Sequence, residues 1–211
     1  VGNELYESFY KGYTKKQWGI SAKYLDPSIV LRVPIRFNRN QYYVDEGIKK
    51  MPKDGYNTLF SNMIKSENIK VLKNTNFKNI KNLIKPKIGI VYTGPIDEYF
   101  DFKYGKLEWR SLDFEFVLYN KEYMQSCVQI NYPNNYDYTR SVEIKHVTKQ
   151  KHKQTIISYE YPNNTGDPYY PVINSTNIAK YNQYKNDAEK LRFSKKIYFV
   201  GRLAEYKYLN I

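Results

Sequence analysis

The sequence of 211 residues has a single cysteine and no apolar run near the roughly 20 residues that a membrane-spanning helix needs. Its first residues, VGNELYESFY, lack the basic and apolar regions of a secretory signal. We therefore expect a cytoplasmic protein without membrane insertion. The single cysteine, Cys127, excludes an internal disulfide, and its strand-like neighbours favour a small buried hydrophobe over a nucleophile.

The usual catalytic patterns are also missing. His146 and His152 stand among lysines without cysteine or carboxylate at metal-ligand spacing, so we expect no metal site. No G-x-S-x-G or comparable nucleophile context occurs, which favours a protein whose reactive group comes from a cofactor.

The formal net charge of +13 is compatible with nucleic acid, an anionic membrane or an anionic small ligand as partner. The lysines are spread along the chain and do not form the blocks typical of nucleic-acid-binding tails. Aromatic residues make up 17% of the chain, and its 24 tyrosines each combine a stacking face with a hydroxyl that can bind phosphate or sugar. The composition favours a nucleotide sugar as ligand and no nucleic acid. A nucleic-acid-binding module and a non-catalytic nucleotide-sugar-binding protein remain the alternatives.

Recognition residues are densest in the segment Phe9–Arg36. Gly12 and Gly19 bracket two aromatic residues and two lysines, so we expect a mobile lid whose rings, including Trp18, stack on a planar ligand. The alternative is an ordinary surface loop with a packed tryptophan and solvated cations.

Two arginines stand four residues apart in the same segment, at Arg32 and Arg36. Pro34 between them disfavours helix in the preceding residue, so the stretch should be extended. Guanidinium groups at this spacing suit paired phosphate oxygens.

Hydrophobic periodicity predicts an α/β chain of the α+β type, containing one large domain or parts of two. The predicted helices are the end of one over Asn3–Tyr10, terminated at Gly12, and then Gly55–Lys65 and Ile178–Leu191. The segment Phe77–Ile84 is either a weak helix or a turn-rich connection. We expect the apolar face of Gly55–Lys65 to lie in the core. The predicted strands are Arg36–Asp45, Ile69–Leu72, Ile88–Tyr92, Leu107–Tyr119, Ser126–Tyr132, Ser141–Val147, Thr155–Tyr161 and Lys196–Val200. Four consecutive β-rich runs in the second half favour an antiparallel sheet.

Several unusual strings occur in a fixed order along nearly the whole chain. They are FYKGYTKKQWG, RVPIRFNRNQYYVDEGIKKMPKDGY, VYTGPIDEYFDFKYGKLEWRSLDFE, YTRSVEIKH, YEYP, PYYPV and VGRLAEYKYLN. Together they resemble the UDP-galactopyranose mutase family, flavoenzymes that interconvert the pyranose and furanose forms of UDP-galactose by attack of reduced flavin on the anomeric carbon.

The family's opening strand, Gly-rich turn and helix have no counterpart here, since no G-x-G-x-x-G occurs. The resemblance therefore implies the C-terminal portion of the enzyme, inactive alone: a twisted antiparallel-sheet substrate domain with parts of an incomplete FAD-binding Rossmann-like domain. The implied divisions are 1–35, the end of a helical substrate domain with the lid; 36–175, mainly the sheet, with 55–97 returning to the FAD-binding domain; and 176–211, a final return to it.

The resemblance also implies the ligand contacts, with UDP-galactose as substrate, FAD as cofactor and a homo-oligomeric state. Uracil would lie against Phe9 and Tyr13, with Trp18 closing over the substrate. The implied pyrophosphate ligands are Arg32, Tyr43, Arg140, Tyr170 and Tyr208. Three further positions match the neighbourhood of the site, namely Arg110, Asn131 and Glu160, of which Asn131 is assigned to substrate binding.

The flavin contacts implied by the same resemblance are Gly94, Gly201, Arg202 and Tyr208. Many family members carry an aspartate where this chain has Asn210. A charge-dependent role at that position is therefore not expected.

Overall fold

The computed structural model describes residues 2–27, 37–39 and 50–209. The candidate ligands Arg32, Arg36 and Tyr43 lie outside the described residues, as does Asn210. The predicted strand Arg36–Asp45 also lies outside them except for residues 37–39, which are not in a strand.

The first helix, α1, is longer than predicted. Its consecutive segments are Asn3–Leu5, a π-helical stretch Tyr6–Lys11, and Gly12–Trp18. The prediction that Gly12 ends this helix is wrong. Gly12 is helical, and a β-carbon there would overlap the carbonyl oxygen of Pro133, so the glycine permits close approach to a loop. The helix ends at Gly19, whose φ of 70° lies in the left-handed region that favours glycine.

The sheet of the second half is confirmed. Its five strands are β2 Trp109–Tyr119, β3 Gln129–Asn131, β4 Arg140–Val142, β5 Thr155–Asn163 and β6 Tyr170–Pro171. They pair antiparallel in the order β3-β4-β5-β2-β6. The longest ladder joins β2 to β5 from Ser111↔Asn163 to Tyr119↔Thr155.

A second, parallel pair joins β1 (Ile90–Tyr92) to β7 (Ile197–Phe199). Beside it lies the long helix α6 (Ser175–Lys195), which begins where the side chain of Asn174 accepts a hydrogen bond from Asn177 N–H at 2.8 Å. The shorter helices are α2 (Gly55–Met63), α3 (Phe77–Ile80), α4 (Ile96–Tyr99) and α5 (Lys145–Thr148), and a 3₁₀ turn spans Ala22–Tyr24.

The core lies between α6, α4 and the turns that follow them. Its buried residues are Ile96, Leu107, Tyr184, Ala188 and Tyr206. The Tyr184 hydroxyl donates to the carbonyl of Gly105 at 2.8 Å and accepts from Tyr104 N–H at 2.9 Å. The helix predicted over Ile178–Leu191 is thereby confirmed, as part of α6.

Three local predictions are wrong. Ile69–Leu72 is irregular rather than a strand, because it pairs with no strand in the described part of the chain. The predicted strand Ser141–Val147 ends at Val142 and turns into α5. Cys127 is exposed rather than buried, since it precedes β3 in an irregular stretch where its thiol lies 3.3 Å from the Gln129 carbonyl.

The helix α2 forms where predicted, but its apolar side chains are exposed. Leu59, Phe60 and Met63 have relative exposures of 40%, 56% and 63%. The expectation that they lie in the core is therefore wrong for this chain.

Within the described ranges, no helix combines the length and apolar character needed to cross a membrane.

Candidate functional site

A cluster of polar and aromatic side chains forms where α1, the adjoining strands β4 and β5, β6 and the C-terminal segment meet. Sequence positions as far apart as Tyr13, Arg140 and Tyr208 contribute to it through the side-chain contacts given below. We call the group Tyr13, Trp18, Arg140, Glu160, Tyr170, Arg202 and Tyr208 the arginine–tyrosine cluster.

Arg140 is the charged centre of this cluster. Its Nη2 donates a hydrogen bond to the Tyr13 hydroxyl. The β4–β5 register places it opposite Glu160, and its Nε lies 3.3 Å from Glu160 Oε2. That separation is an ion-pair distance, but the N–H is not aligned with the carboxylate, so Nε has no hydrogen-bond acceptor within the described ranges.

The two charges perturb each other unequally. Burial disfavours the charged form of Arg140, but the neighbouring Tyr13 and Glu160 outweigh it and the pKa of the guanidinium is raised. Burial also raises the pKa of Glu160, and Arg140 offsets only part of that rise. Arg140 is therefore firmly cationic, and burial works against the negative charge of the carboxyl beside it.

Aromatic rings line one side of Arg140. Tyr170 on β6 stacks on Tyr208 with ring centroids 5.7 Å apart and an angle of 5° between the planes. The edge of Trp18 meets Tyr170 at 6.0 Å. Burial raises the pKa of Tyr170, so its phenol stays protonated at neutral pH and can donate a hydrogen bond.

Arg202 closes the far side of the stack. Its guanidinium lies 4.6 Å from the centre of the Tyr208 ring, a cation–π distance. It also donates to the carbonyls of Tyr169 at 3.0 Å and Leu209 at 2.5 Å. Arg202 thus fixes the C-terminal segment against β6.

Trp18 does not lie in the loop predicted for residues 13–18. The segment is helical, and Trp18 is only 7% exposed on the last turn of α1. The loop prediction is wrong because Gly12 and Gly19 serve two different purposes, close packing and helix termination, and do not act as paired hinges.

Arg110, a candidate from the resemblance, lies behind the cluster. Its Nε donates to the carbonyl of Gln17 at 2.9 Å and its Nη2 to the carbonyl of Lys16 at 3.1 Å. These are unpaired carbonyls of a helix end, where a cation also suits the helix dipole. In the described structure Arg110 anchors the end of α1.

Phe9 and Asn131 lie on the elements that carry Tyr13 and Arg140. Phe9 is on α1 one turn before Tyr13 and is 61% exposed. Asn131 is the backbone partner of Arg140 in the β3–β4 ladder, and its side chain accepts a hydrogen bond from Gln129 at 3.0 Å.

The two glycines predicted to approach a flavin, Gly94 and Gly201, differ in the space around their α-carbons. Gly201 has a φ of 94°, and no atom of the described residues lies within 4 Å of the place a β-carbon would occupy. At Gly94 that place is filled by the ring of Tyr92, whose hydroxyl would lie 2.6 Å away. The space beside Gly201 is therefore open among the described residues, whereas the space beside Gly94 is occupied by Tyr92.

The sequence did not indicate that Lys16 takes part in this region. Lys16 stands beside the exposed Lys15 in a KK pair, yet Lys16 is half-buried in the described structure, with its ammonium group against backbone carbonyls of residues 132–138. A pair of lysines gives no indication of which one is buried, so only the tertiary structure distinguishes them.

The described residues hold no group of three or more His, Cys, Asp or Glu side chains placed to bind a metal ion.

Comparisons with known proteins agree on one family. A family model described as UDP-galactopyranose mutase matches residues 8–208. The chain is 36% identical over its whole length to a probable UDP-galactopyranose mutase of Klebsiella pneumoniae and covers 55% of that protein. It is 34% identical to a dTDP-fucopyranose mutase of Escherichia coli, again over its whole length, covering 58% of it.

A UDP-galactopyranose mutase of Mycoplasma genitalium is 32% identical over 98% of the chain, which covers 55% of that protein. The chain therefore spans about half the length of the curated relatives it matches.

Proposed function

Because the chain belongs to the UDP-galactopyranose mutase family, we propose that its arginine–tyrosine cluster binds the diphosphate of UDP-galactose in a flavin-dependent isomerase. The reaction proposed is the interconversion of UDP-galactopyranose and UDP-galactofuranose.

The observation that carries the proposal is the environment of Arg140. Its guanidinium is held by Tyr13 and paired with Glu160, and the stacked phenol Tyr170 belongs to the same cluster. A partly buried guanidinium and neighbouring phenols can form charge-assisted hydrogen bonds with the oxygens of a diphosphate.

The tyrosines would complete the anion site. The protonated phenol of Tyr170 can donate to a second phosphate oxygen, and its stacking on Tyr208 fixes its direction. In the mutase reaction UDP leaves the sugar and must be recaptured. Residues that hold the diphosphate while its bond to the sugar is broken would keep UDP in place for the return step.

The exposed ring of Phe9, one helical turn from Tyr13, offers a face for the uracil base. Arg32 and Tyr43, outside the described residues, are proposed to add a second cation and phenol to the diphosphate site. Asn131 is proposed as a further contact to the substrate.

FAD is the cofactor this proposal requires, and the residues present fit its ring end. The open backbone of Gly201 and the neighbouring Arg202 and Tyr208 would border the isoalloxazine, and Gly94 would lie near it. The chemistry that reduced FAD supplies when bound is nucleophilic attack on the anomeric carbon of galactose. The chain has no G-x-G-x-x-G turn for the FAD diphosphate.

The parallel strands β1 and β7 are proposed to belong to an FAD-binding domain of the Rossmann type, with 55–97 and 176–211 contributing to it. Parallel strands normally lie inside larger sheets covered on both faces, so a two-stranded pair favours additional strands beside it. The division at 36–175 for the sheet domain, and a homo-oligomeric state, remain part of the same proposal.

The proposal is tested by titrating UDP into the full-length protein and its Arg140→Ala variant in a calorimeter. A hydrogen bond to a charged group contributes about 1.5–3 kcal/mol, so the variant should bind UDP about tenfold or more weakly. Arg192→Ala is the matched control, because Arg192 is an exposed arginine on α6 whose contacts are with two residues of the same helix, Glu189 at 3.2 Å and the ring of Phe193 at 5.1 Å. Equal UDP affinity in the Arg140 and Arg192 variants would remove the basis of the assignment.

The same titration with dTDP addresses the base, because one relative is named for a dTDP-sugar. We expect UDP to bind more tightly than dTDP. Tighter binding of dTDP would keep the diphosphate site and move the substrate to a dTDP-sugar.

A further inference from the structure

The ammonium group of Lys16, on the last turn of α1, is surrounded by backbone carbonyls of the loop between β3 and β4. Nζ donates to the carbonyl of Tyr132, and lies 3.2 Å from that of Asn135, 3.1 Å from that of Tyr136 and 3.0 Å from that of Tyr138. An ammonium has three donors and no acceptor, so this one is shared among four oxygens of a single loop.

Two more contacts hold the same loop against α1. The side-chain amide of Asn134 donates to the Ser8 carbonyl at 3.0 Å. At Gly12 the helix backbone approaches Pro133 so closely that a β-carbon would overlap its carbonyl oxygen. Residues 132–139 are therefore docked on α1 along two turns of the helix.

The loop is a stiff unit rather than a slack connection. The rings of Tyr136 and Tyr138 stack at 5.0 Å, and both meet the ring of Tyr132 edge-on. Hydrogen bonds from Tyr132 N–H to the Thr139 carbonyl, at 2.8 Å, and from Thr139 N–H to the Glu160 carbonyl, at 2.9 Å, close its ends. A displacement of the loop on α1 would therefore be passed on to its last residue.

The residue that follows the loop is Arg140. Tyr13, which accepts the hydrogen bond from Arg140, is three residues before Lys16 and so lies on the same side of α1. Lys16 thus joins the helical turn that carries the phenol to the loop that carries the guanidinium.

We propose that Lys16 is a positioning residue of the diphosphate site: by holding loop 132–139 on α1, it fixes Arg140 against Tyr13 and thereby sets the affinity for the nucleotide diphosphate. The inference rests on the proposed function, since it assigns Lys16 to the same site. Burial lowers the pKa of Lys16, and Asp137 counters this in part, in keeping with an ammonium withdrawn from water.

Lys16→Met is the test variant, because methionine keeps the apolar stem and removes the ammonium. Two matched control variants show whether a change in UDP affinity comes from the place of Lys16, from the loss of a positive charge, or from a loss of stability. Lys15→Met removes the same charge from the exposed neighbouring residue. Lys145→Met removes a buried ammonium that donates to the carbonyls of Glu122 and His152, away from the arginine–tyrosine cluster.

Three quantities are measured on the full-length protein: UDP affinity by calorimetry, the thermal midpoint, and hydrogen exchange of the amides of 132–139. Lys16→Met should weaken UDP binding about tenfold and speed exchange in the loop. Lys15→Met should change UDP affinity by no more than about twofold, since exposed charges are screened by salt. Lys145→Met should lower the thermal midpoint yet leave UDP affinity within about twofold.

UDP affinity in Lys16→Met equal to that in Lys15→Met would overturn the proposal. So would a loss of affinity in Lys145→Met as large as in Lys16→Met, because the effect would then follow stability alone. If Lys16→Met does not fold, Asn134→Ala takes its place. A smaller loss of UDP affinity is expected for that variant, and an unchanged affinity would count against the proposal.

If the wild-type protein does not bind UDP, the proposed function is wrong. Faster hydrogen exchange of 132–139 in Lys16→Met would then still support the part of the proposal in which Lys16 holds this loop on α1. Unchanged exchange would overturn that part too.

Discussion

The buried carboxylate of Glu143 should be one of the main stabilising groups of the sheet. It is fully buried just after β4. Oε2 accepts from Gln125 N–H at 2.8 Å, and Oε1 accepts from the Thr155 hydroxyl at 2.5 Å and from Met124 N–H at 3.1 Å. His146 Nε2 lies 3.3 Å from Oε2. Burial works against the ionised form, but these hydrogen bonds outweigh it, so the pKa of Glu143 is lowered.

Glu143→Gln keeps the shape and removes the charge. The best glutamine orientation places its NH₂ beside the Thr155 hydroxyl, which can rotate to accept. Its oxygen then takes the place of Oε2, which lies 2.8 Å from Gln125 N and 3.2 Å from Met124 N, and accepts from both N–H groups. Three charge-assisted bonds then become neutral ones, which are about half as strong. We expect the free energy of unfolding to fall by about 2 kcal/mol.

Urea unfolding of the wild type and the variant measures this difference. Glu115→Gln is the matched control, because Glu115 is exposed on β2 and accepts one side-chain hydrogen bond, from Tyr161 at 2.8 Å. It should change the free energy by less than about 0.5 kcal/mol. A Glu143→Gln variant as stable as the control would refute the account of this carboxylate.

The contribution of Glu143 to the free energy of unfolding should change with pH in one direction. The pKa of Glu143 is lower in the folded chain than in the unfolded chain, so its contribution is present at neutral pH and is lost as pH falls through the folded value. The stability difference between wild type and Glu143→Gln should therefore shrink in acid below the ordinary glutamate range. A difference that grows in acid would contradict the assignment.

Three further predictions concern packing and the cofactor. Tyr184→Phe should lower the free energy of unfolding by about 1–3 kcal/mol in urea, because a backbone N–H and a carbonyl lose their buried partner, whereas the exposed Tyr198→Phe should not. Gly12→Ala should lower the thermal midpoint despite the roughly 1 kcal/mol that alanine gains in a helix, because its methyl group would overlap Pro133; Gly2→Ala, with open space around it, should leave the midpoint unchanged. Residues 1–211 expressed alone should purify without flavin absorbance, show no mutase activity and self-associate through exposed apolar side chains in gel filtration, and a stoichiometric flavin spectrum would count against this.

The sheet was predictable from sequence because its signal is local. The strand pattern of Trp109–Tyr119 and Thr155–Asn163 can be recognised within each segment, and turn residues separate the β-rich runs. Several such runs in succession supply one another with pairing partners. The helix α6 was predictable for the same reason, since Tyr181, Tyr184 and Ala188 repeat at helical spacing.

The errors arise where a distant segment decides the outcome. Gly12 has the local pattern of a helix end, and only the position of Pro133, 121 residues later, explains a glycine inside the helix. Ile69–Leu72 has the composition of a strand but no partner to pair with in the described part of the chain. A strand needs a neighbour, and composition does not supply one.

The residues of the candidate site were predictable from the sequence, but some of the contacts between them were not. The family resemblance pointed to Tyr13, Arg140, Tyr170 and Tyr208, and the described structure brings these residues together. It could not show that Arg140 pairs with Glu160, because that contact depends on the β4–β5 register. Nor could it distinguish Lys16 from Lys15, since burial of a lysine depends on a loop more than 100 residues away.

The most direct test of the diphosphate assignment is a crystal structure of the full-length protein with UDP bound. The account predicts diphosphate oxygens within about 3.2 Å of the Arg140 guanidinium and the Tyr170 hydroxyl, with loop 132–139 still held by Lys16. A diphosphate bound elsewhere, with Arg140 contacting only Tyr13 and Glu160, would contradict it.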